Sequence, residues 1–265
     1  MHVPADPNGR NLTRRTCSDD DGMLACMQVP AYLCKPHVPA YLHRVAPWAK
    51  VIFILRNPVD RAYSEWKMEA NTLPAKRRRK PRVHSFQKRI EENARILQVY
   101  RWIDMPKLGN FRSTPDRPFR NHTLPMTLAE RHAVVAYGHE HRSKFQMSLL
   151  QCGSIGRGMY AQQLMGWIRY YTLNENLLVV RFEDFVANGT AVLEKIHQFI
   201  GLDDPHVTVG KEDFEKTFIP VRRSSNQETG GIEDDIMREY LTELYKPFNA
   251  ELADLLGEEW RGVWD

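Results

Sequence analysis

The sequence predicts an α/β fold with a central parallel sheet flanked by helices, and three observations carry that reading. Val51-Ile52-Phe53-Ile54-Leu55 is a short apolar run rich in β-branched residues, the composition of a strand buried on both faces. Asn57-Pro58 ends the strand and opens a helix, since Asn is a good N-cap and Pro suits the first helical position. A second β-rich run, Leu177–Phe182, follows a stretch of helical periodicity. Strand–helix followed by helix–strand makes parallel pairing the natural architecture.

Composition bounds the rest. The 265 residues suffice for one sizeable core, and 42% hydrophobic with 26% charged residues describes an ordinary globular chain. A net charge of +4 suits an anionic cofactor or polysaccharide. No apolar run approaches the roughly 18–20 residues of a membrane span, and the first residues lack the apolar core of a signal peptide. Four cysteines (Cys17, Cys26, Cys34, Cys152) allow two disulfides in three pairings, or none in a reducing compartment. Glycosylation sequons begin at Asn11, Asn121 and Asn188.

In chain order, residues 1–25 are polar and turn-rich and read as a loop, and 26–265 read as a single domain. Val29-Pro-Ala-Tyr-Leu33 recurs as Val38-Pro-Ala-Tyr-Leu42, which two short Pro-initiated turns would explain. The strand at 51–55 and its helix, with Ala62, Tyr63 and Trp66 at helical spacing, come next. Arg56, Arg61 and Ser64 surround that strand–helix turn. A guanidinium, a hydroxyl and free backbone N–H groups beyond a strand's carboxyl end would together make an anion site. Residues 74–89 hold eight Lys or Arg in sixteen positions. The block reads as a solvated loop, an electropositive rim for a polyanionic glycan, or a nuclear or nucleic-acid patch; the scarcity of aromatics disfavours base stacking.

Ile90–Trp102 reads as an amphipathic helix, and the whole of about 74–125 as a basic, Pro-rich insertion. Leu128–Leu150 reads as a helix whose His139 and His141 face different sides and make a poor metal pair. Tyr160, Leu164, Trp167, Ile168 and Tyr171 give the helix before the second strand an apolar face. Ala191–Leu202 is a helix stopped by Gly201, and Ile236–Leu256 a terminal helix with Leu241, Leu244, Tyr245, Phe248, Leu252 and Leu255 on one side.

The string Leu55-Arg-Asn-Pro-Val-Asp-Arg-Ala-Tyr-Ser64 resembles the 3′-phosphate motif of Golgi carbohydrate sulfotransferases, which use 3′-phosphoadenosine 5′-phosphosulfate (PAPS). The resemblance covers roughly residues 27–69 and 153–257. It includes Arg157-Gly-Met-Tyr160, Leu164, Trp167, the acidic pair Glu183-Asp184 and the string Tyr245–Asn249. It implies a P-loop-NTPase-like three-layer fold. It also implies sulfuryl transfer from PAPS to a carbohydrate hydroxyl by in-line displacement, with no metal. Arg56 and Ser64 would hold the 3′-phosphate. Arg222 and Arg223 would contact the nucleotide from a C-terminal loop, and Arg157 and Tyr160 would face the acceptor. The acceptor would be an anionic polysaccharide or a glycoprotein glycan, with no nucleic acid as partner. The setting would be the Golgi lumen, and membrane contact would come only through an N-terminal anchor outside this chain.

Two departures from the pattern bear on activity. Met27 stands where the family's general base is Glu, and a thioether cannot take the hydroxyl proton; His37, Glu65 and Glu69 are the nearby candidates. Residues 1–49 also contain no Gly-rich loop with Lys and Thr to cradle the 5′-phosphosulfate, so the chain reads as such a domain shortened or spliced differently at its N-terminal side. The alternative is a catalytically inactive relative that binds anionic polysaccharide. A nucleotide kinase would need Gly-x-x-x-x-Gly-Lys-Ser/Thr, and the sequence has no such string.

Overall fold

The computed structural model describes residues 26–72, 85–103, 124–141, 150–202 and 232–265. Two strands, β1 (Val51–Leu55) and β2 (Leu177–Arg181), pair in parallel with Val51 opposite Leu177 and Leu55 opposite Arg181. The sequence reading has β1 buried throughout, whereas Ile54 is 51% exposed. Alternation along the strands sends their side chains to two faces, and helices pack on both. On one, Leu178 and Val180 pack with Ile52 against Val192, Ile196 and Phe199 of α7 (Gly189–Ile200). On the other, Leu55 and Val179 meet Tyr160, Ala161 and Leu164 of α5 (Tyr160–Trp167) and Leu252 and Ala253 of α8 (Ile232–Leu256). The described residues thus form the helix–sheet–helix layering that the sequence predicts.

A second core lies beside the sheet. Here α2 (Pro58–Thr72), α3 (Phe86–Val99) and α8 bury Ala62, Tyr63, Phe86, Ile90, Leu97, Leu241, Tyr245 and Phe248 together. The helix α3 begins four residues before Ile90. Ser85 accepts the Lys88 N–H as its N-cap, and the buried Phe86 belongs to the apolar face. Across the same region α4 (Leu128–His141) buries Arg131 completely, paired with Glu251 of α8 and bonded to the Met126 carbonyl at 2.5 Å.

Other boundaries also differ from the sequence reading, among them the start of the terminal helix at Ile232. The second Val-Pro-Ala-Tyr-Leu copy is a helix, α1 (Val38–Val45), rather than a turn. Pro39 sits in its first turn, and Val38 and Leu42 pack beside Trp167 and Tyr171. Phe182 leaves the strand and starts α6 (Phe182–Ala187), where Arg181 pairs with Asp184 at 2.7 Å. The helix α7 starts earlier than Ala191 because Asn188 accepts the Ala191 N–H; its end is marked by Gly201 at φ 78°, as expected for a C-terminal glycine.

Of the three cysteine pairings, the structure joins Cys34 to Cys152, with Cα atoms 5.5 Å apart. Cys26 is free and exposed, and Cys17 lies outside the described residues, as do Arg222, Arg223 and most of the basic insertion. Among the described residues no helix is long and apolar enough to cross a membrane.

Candidate functional site

The site is built on the turn between β1 and α2. Leu55 is buried in the sheet, so the chain emerges at Arg56 at the strand's carboxyl end. Asn57 Oδ1 accepts the N–H groups of Val59 at 2.9 Å and Asp60 at 3.3 Å, and the Asn57 carbonyl accepts that of Arg61 at 2.9 Å. Pro58 has no N–H. The Asn57 N–H itself donates to Glu183 Oε1 at 2.8 Å. This corrects one expectation: the backbone donors at the start of α2 are already taken by the cap and the carboxylate. An anion at this turn would have to be held by side chains.

Two contacts hold Arg56, one on its backbone and one on its side chain. The Tyr160 hydroxyl donates to the Arg56 carbonyl at 2.7 Å, and the Arg56 guanidinium lies over the Phe182 ring, 5.1 Å from its centroid. Arg56 is half-buried, whereas Ser64 is exposed on α2, about 9 Å along the axis from Pro58. Tyr160 is only 4% exposed. Burial pushes its hydroxyl up to about 12, against the pull of Arg61. Tyr160, named from the sequence as facing the acceptor, is placed as a buried phenol bonded to the Arg56 carbonyl at the turn.

Gly158 brings the Arg157 segment against the same turn. A Cβ there would lie 2.7 Å from Pro58 Cβ and from the Tyr245 ring, so only glycine permits this approach. Arg157 and Arg61 then grip one carboxylate from two sides, with Arg157 on Glu65 Oε1 at 2.6 Å and Arg61 on Glu65 Oε2 at 3.0 Å. Arg61 also donates to the Ser154 carbonyl, and Arg89 Nε to the Ser154 hydroxyl at 2.6 Å. Arg89 completes a bidentate pair with Glu69 at 2.6 and 3.0 Å. Its hydrogen bonds hold the Glu69 carboxyl below the usual carboxylate value, more than offsetting burial.

Three guanidiniums therefore face two carboxylates, leaving the cluster one positive charge in excess. Both carboxylates named as bases from the sequence, Glu65 and Glu69, are ion-paired, and His37 is exposed and packed edge-on to Tyr41. Arg157 is 40% exposed at its side chain, so it remains accessible to a ligand from this cluster. Among the described residues no group of His, Cys, Asp and Glu is placed to hold a metal ion.

Sequence reasoning missed Glu183. The Glu183-Asp184 pair was visible after the second strand, but nothing local pointed to its bond with a peptide 126 residues away. Its other oxygen, Oε2, is buried without a hydrogen-bond partner among the described residues. Ser154, shared by Arg61 and Arg89, was also missed, since a lone serine in a loop carries no pattern.

Comparison with known proteins follows this geometry. A family profile described as Sulfotransferase domain matches residues 21–217. Carbohydrate sulfotransferase 15 of Mus musculus is 24% identical over 223 residues, covering 83% of this chain and 32% of that protein. Heparan sulfate glucosamine 3-O-sulfotransferase 6 of Homo sapiens is 24% identical over 263 residues, covering 94% of this chain and 59% of its own length. Among solved structures, a sulfotransferase from Alicyclobacillus acidocaldarius aligns with TM-score 0.46 and 20% identity, over 87% of this chain and 64% of that one. The chain spans about a third of the first relative and somewhat over half of the second.

Proposed function

The chain belongs to the sulfotransferase domain family, and from that premise we propose that it transfers a sulfuryl group from PAPS to a hydroxyl of a carbohydrate. The acceptor oxygen attacks sulfur, the bond from sulfur to the bridging phosphate oxygen breaks, and adenosine 3′,5′-bisphosphate departs with the electron pair. The hydroxyl proton passes to a base or to solvent. One observation carries the reading: Arg56 emerges at the carboxyl end of a parallel strand, on a turn held by Tyr160 and Glu183. A guanidinium so placed is pre-organised to take a phosphate.

In this reading Arg56 and Ser64 hold the nucleotide 3′-phosphate, and Arg157 meets the acceptor. Arg222 and Arg223 are proposed to approach the nucleotide from the C-terminal side. The scheme needs no metal. The relatives act, by name, on carbohydrate and on heparan sulfate glucosamine, which favours an anionic polysaccharide or a glycoprotein glycan as acceptor. The Cys34–Cys152 disulfide and the exposed Asn188 sequon fit the Golgi lumen.

A second reading, an inactive relative that binds anionic polysaccharide, is favoured by the pairing of both Glu65 and Glu69 with arginines. Incubation with PAPS labelled in its sulfuryl group and a panel of glycans separates the two. Labelled sulfate on a carbohydrate is the expected result. Retention of glycan with no label transferred supports the binder.

A further inference from the structure

One face of the molecule is not used by the site described above. On α1, Val38 and Leu42 turn inward to the Trp167–Tyr171 core, while His37, Tyr41, Arg44 and Val45 share the outward face at i, i+4, i+7 and i+8. Tyr41 is 61%, Val45 71% and Trp48, in the turn that follows, 75% exposed. Large apolar groups gathered on a surface and rimmed by charge mark a binding site more often than scattered ones do. The formal charge here has one sign: residues 31–50 contain Lys35, Arg44 and Lys50 and no Asp or Glu. Lys50 is occupied, donating to the Glu175 carbonyl at 2.6 Å, but Arg44 is exposed and makes no ion pair among the described residues.

We propose that this face is an accessory binding surface for a polyanionic polysaccharide, with Tyr41 and Trp48 stacking on sugar rings and Arg44 meeting a sulfate or carboxylate. Exposed aromatic rings offer broad apolar area with a polar edge, which suits the alternating C–H and hydroxyl surface of a sugar. The local cationic charge supplies complementarity to a polyanion. A lipid surface fits less well, because α1 has only eight residues and its outward face interleaves His37 and Arg44 with Tyr41 and Val45. Trp48 stands three residues before β1, and the five residues of that strand, about 17 Å, separate its start from Arg56. A long acceptor chain reaches both places; a disaccharide does not. The inference rests on the carbohydrate reading above.

The test combines Tyr41→Ser, Arg44→Gln and Trp48→Ser in the whole chain, with Trp48→Ser alone as a variant outside α1 that leaves the helix intact. Each protein is titrated with heparan sulfate chains, heparan sulfate disaccharide, adenosine 3′,5′-bisphosphate and phosphatidylserine–phosphatidylcholine vesicles. Affinity for the long chains falls by about tenfold or more in the triple variant and by a smaller factor in the single one. Disaccharide and nucleotide binding stay unchanged. Unaltered affinity for the long chains in either variant overturns the proposal. So does vesicle binding that the triple change abolishes while heparan sulfate binding persists, which would assign the face to a membrane. Failure of the unaltered protein to bind the nucleotide strikes the proposed function instead, and that titration is separate.

Discussion

The Asn57 peptide N–H and the Glu183 carboxylate meet at 2.8 Å across 126 residues of sequence. This bond ties the carboxyl ends of the two parallel strands together at the point where a ligand is expected. Glu183→Ala removes a charged acceptor from a partly buried donor, and a loss of about 1.5–3 kcal/mol in stability is expected. Glu183→Gln keeps an acceptor and loses less. Urea unfolding of the two variants checks the order; an alanine variant as stable as the parent would show the bond to be incidental.

The shared carboxylate of Glu65 makes an asymmetric prediction. Arg157→Ala removes a half-exposed partner while Arg61 still neutralises Glu65, so stability changes by about 0–1 kcal/mol. Glu65→Ala leaves the more deeply set Arg61 without its carboxylate and costs about 3 kcal/mol. Calorimetric melting of both variants decides; equal effects would contradict the arrangement.

Acid stability follows from Glu69. The folded carboxyl is held below its usual 4.5 by the Arg89 hydrogen bonds. Its contribution is therefore complete above pH 4.5 and is lost as pH falls through the depressed folded value. Glu69→Gln removes that dependence, so the difference in stability between parent and variant shrinks toward low pH. Denaturation curves from pH 7 to 3 measure it, and a difference that is constant over that range would refute the pairing.

Much of the fold was legible because its signals are local. Val51–Leu55 has the length and β-branched composition of a strand, though the structure leaves Ile54 51% exposed, and Asn57-Pro58 is a cap that announces its helix. The sequence reads Tyr160 two ways, as core from its spacing and as acceptor-facing from the family resemblance. Its spacing with Leu164 and Trp167 already placed it on a core face, and the structure buries it there. Contacts such as Glu183 with Asn57, or Ser154 with two arginines, join distant segments and leave no periodicity to read. The pairing of Cys34 with Cys152 is of the same kind, one choice among three that spacing alone does not distinguish.

That disulfide closes a long loop from the turn before α1 to the segment before Arg157, with a sequence separation of 118. Reduction should destabilise the fold by about 2–5 kcal/mol through the entropy of the unfolded chain. Melting with and without reductant tests this, and an unchanged midpoint would mean that the bond constrains little.

The central claim is that Arg56 and Ser64 grip the 3′-phosphate of the donor nucleotide, and isothermal titration with adenosine 3′,5′-bisphosphate tests it most directly. Arg56→Ala should weaken binding by about 1.5–3 kcal/mol, the range for a hydrogen bond to a charged group, with Ser64→Ala weakening it less. Adenosine 5′-phosphate, which lacks the 3′ group, should bind parent and Arg56→Ala alike. Equal affinity of parent and Arg56→Ala for the bisphosphate would contradict the account.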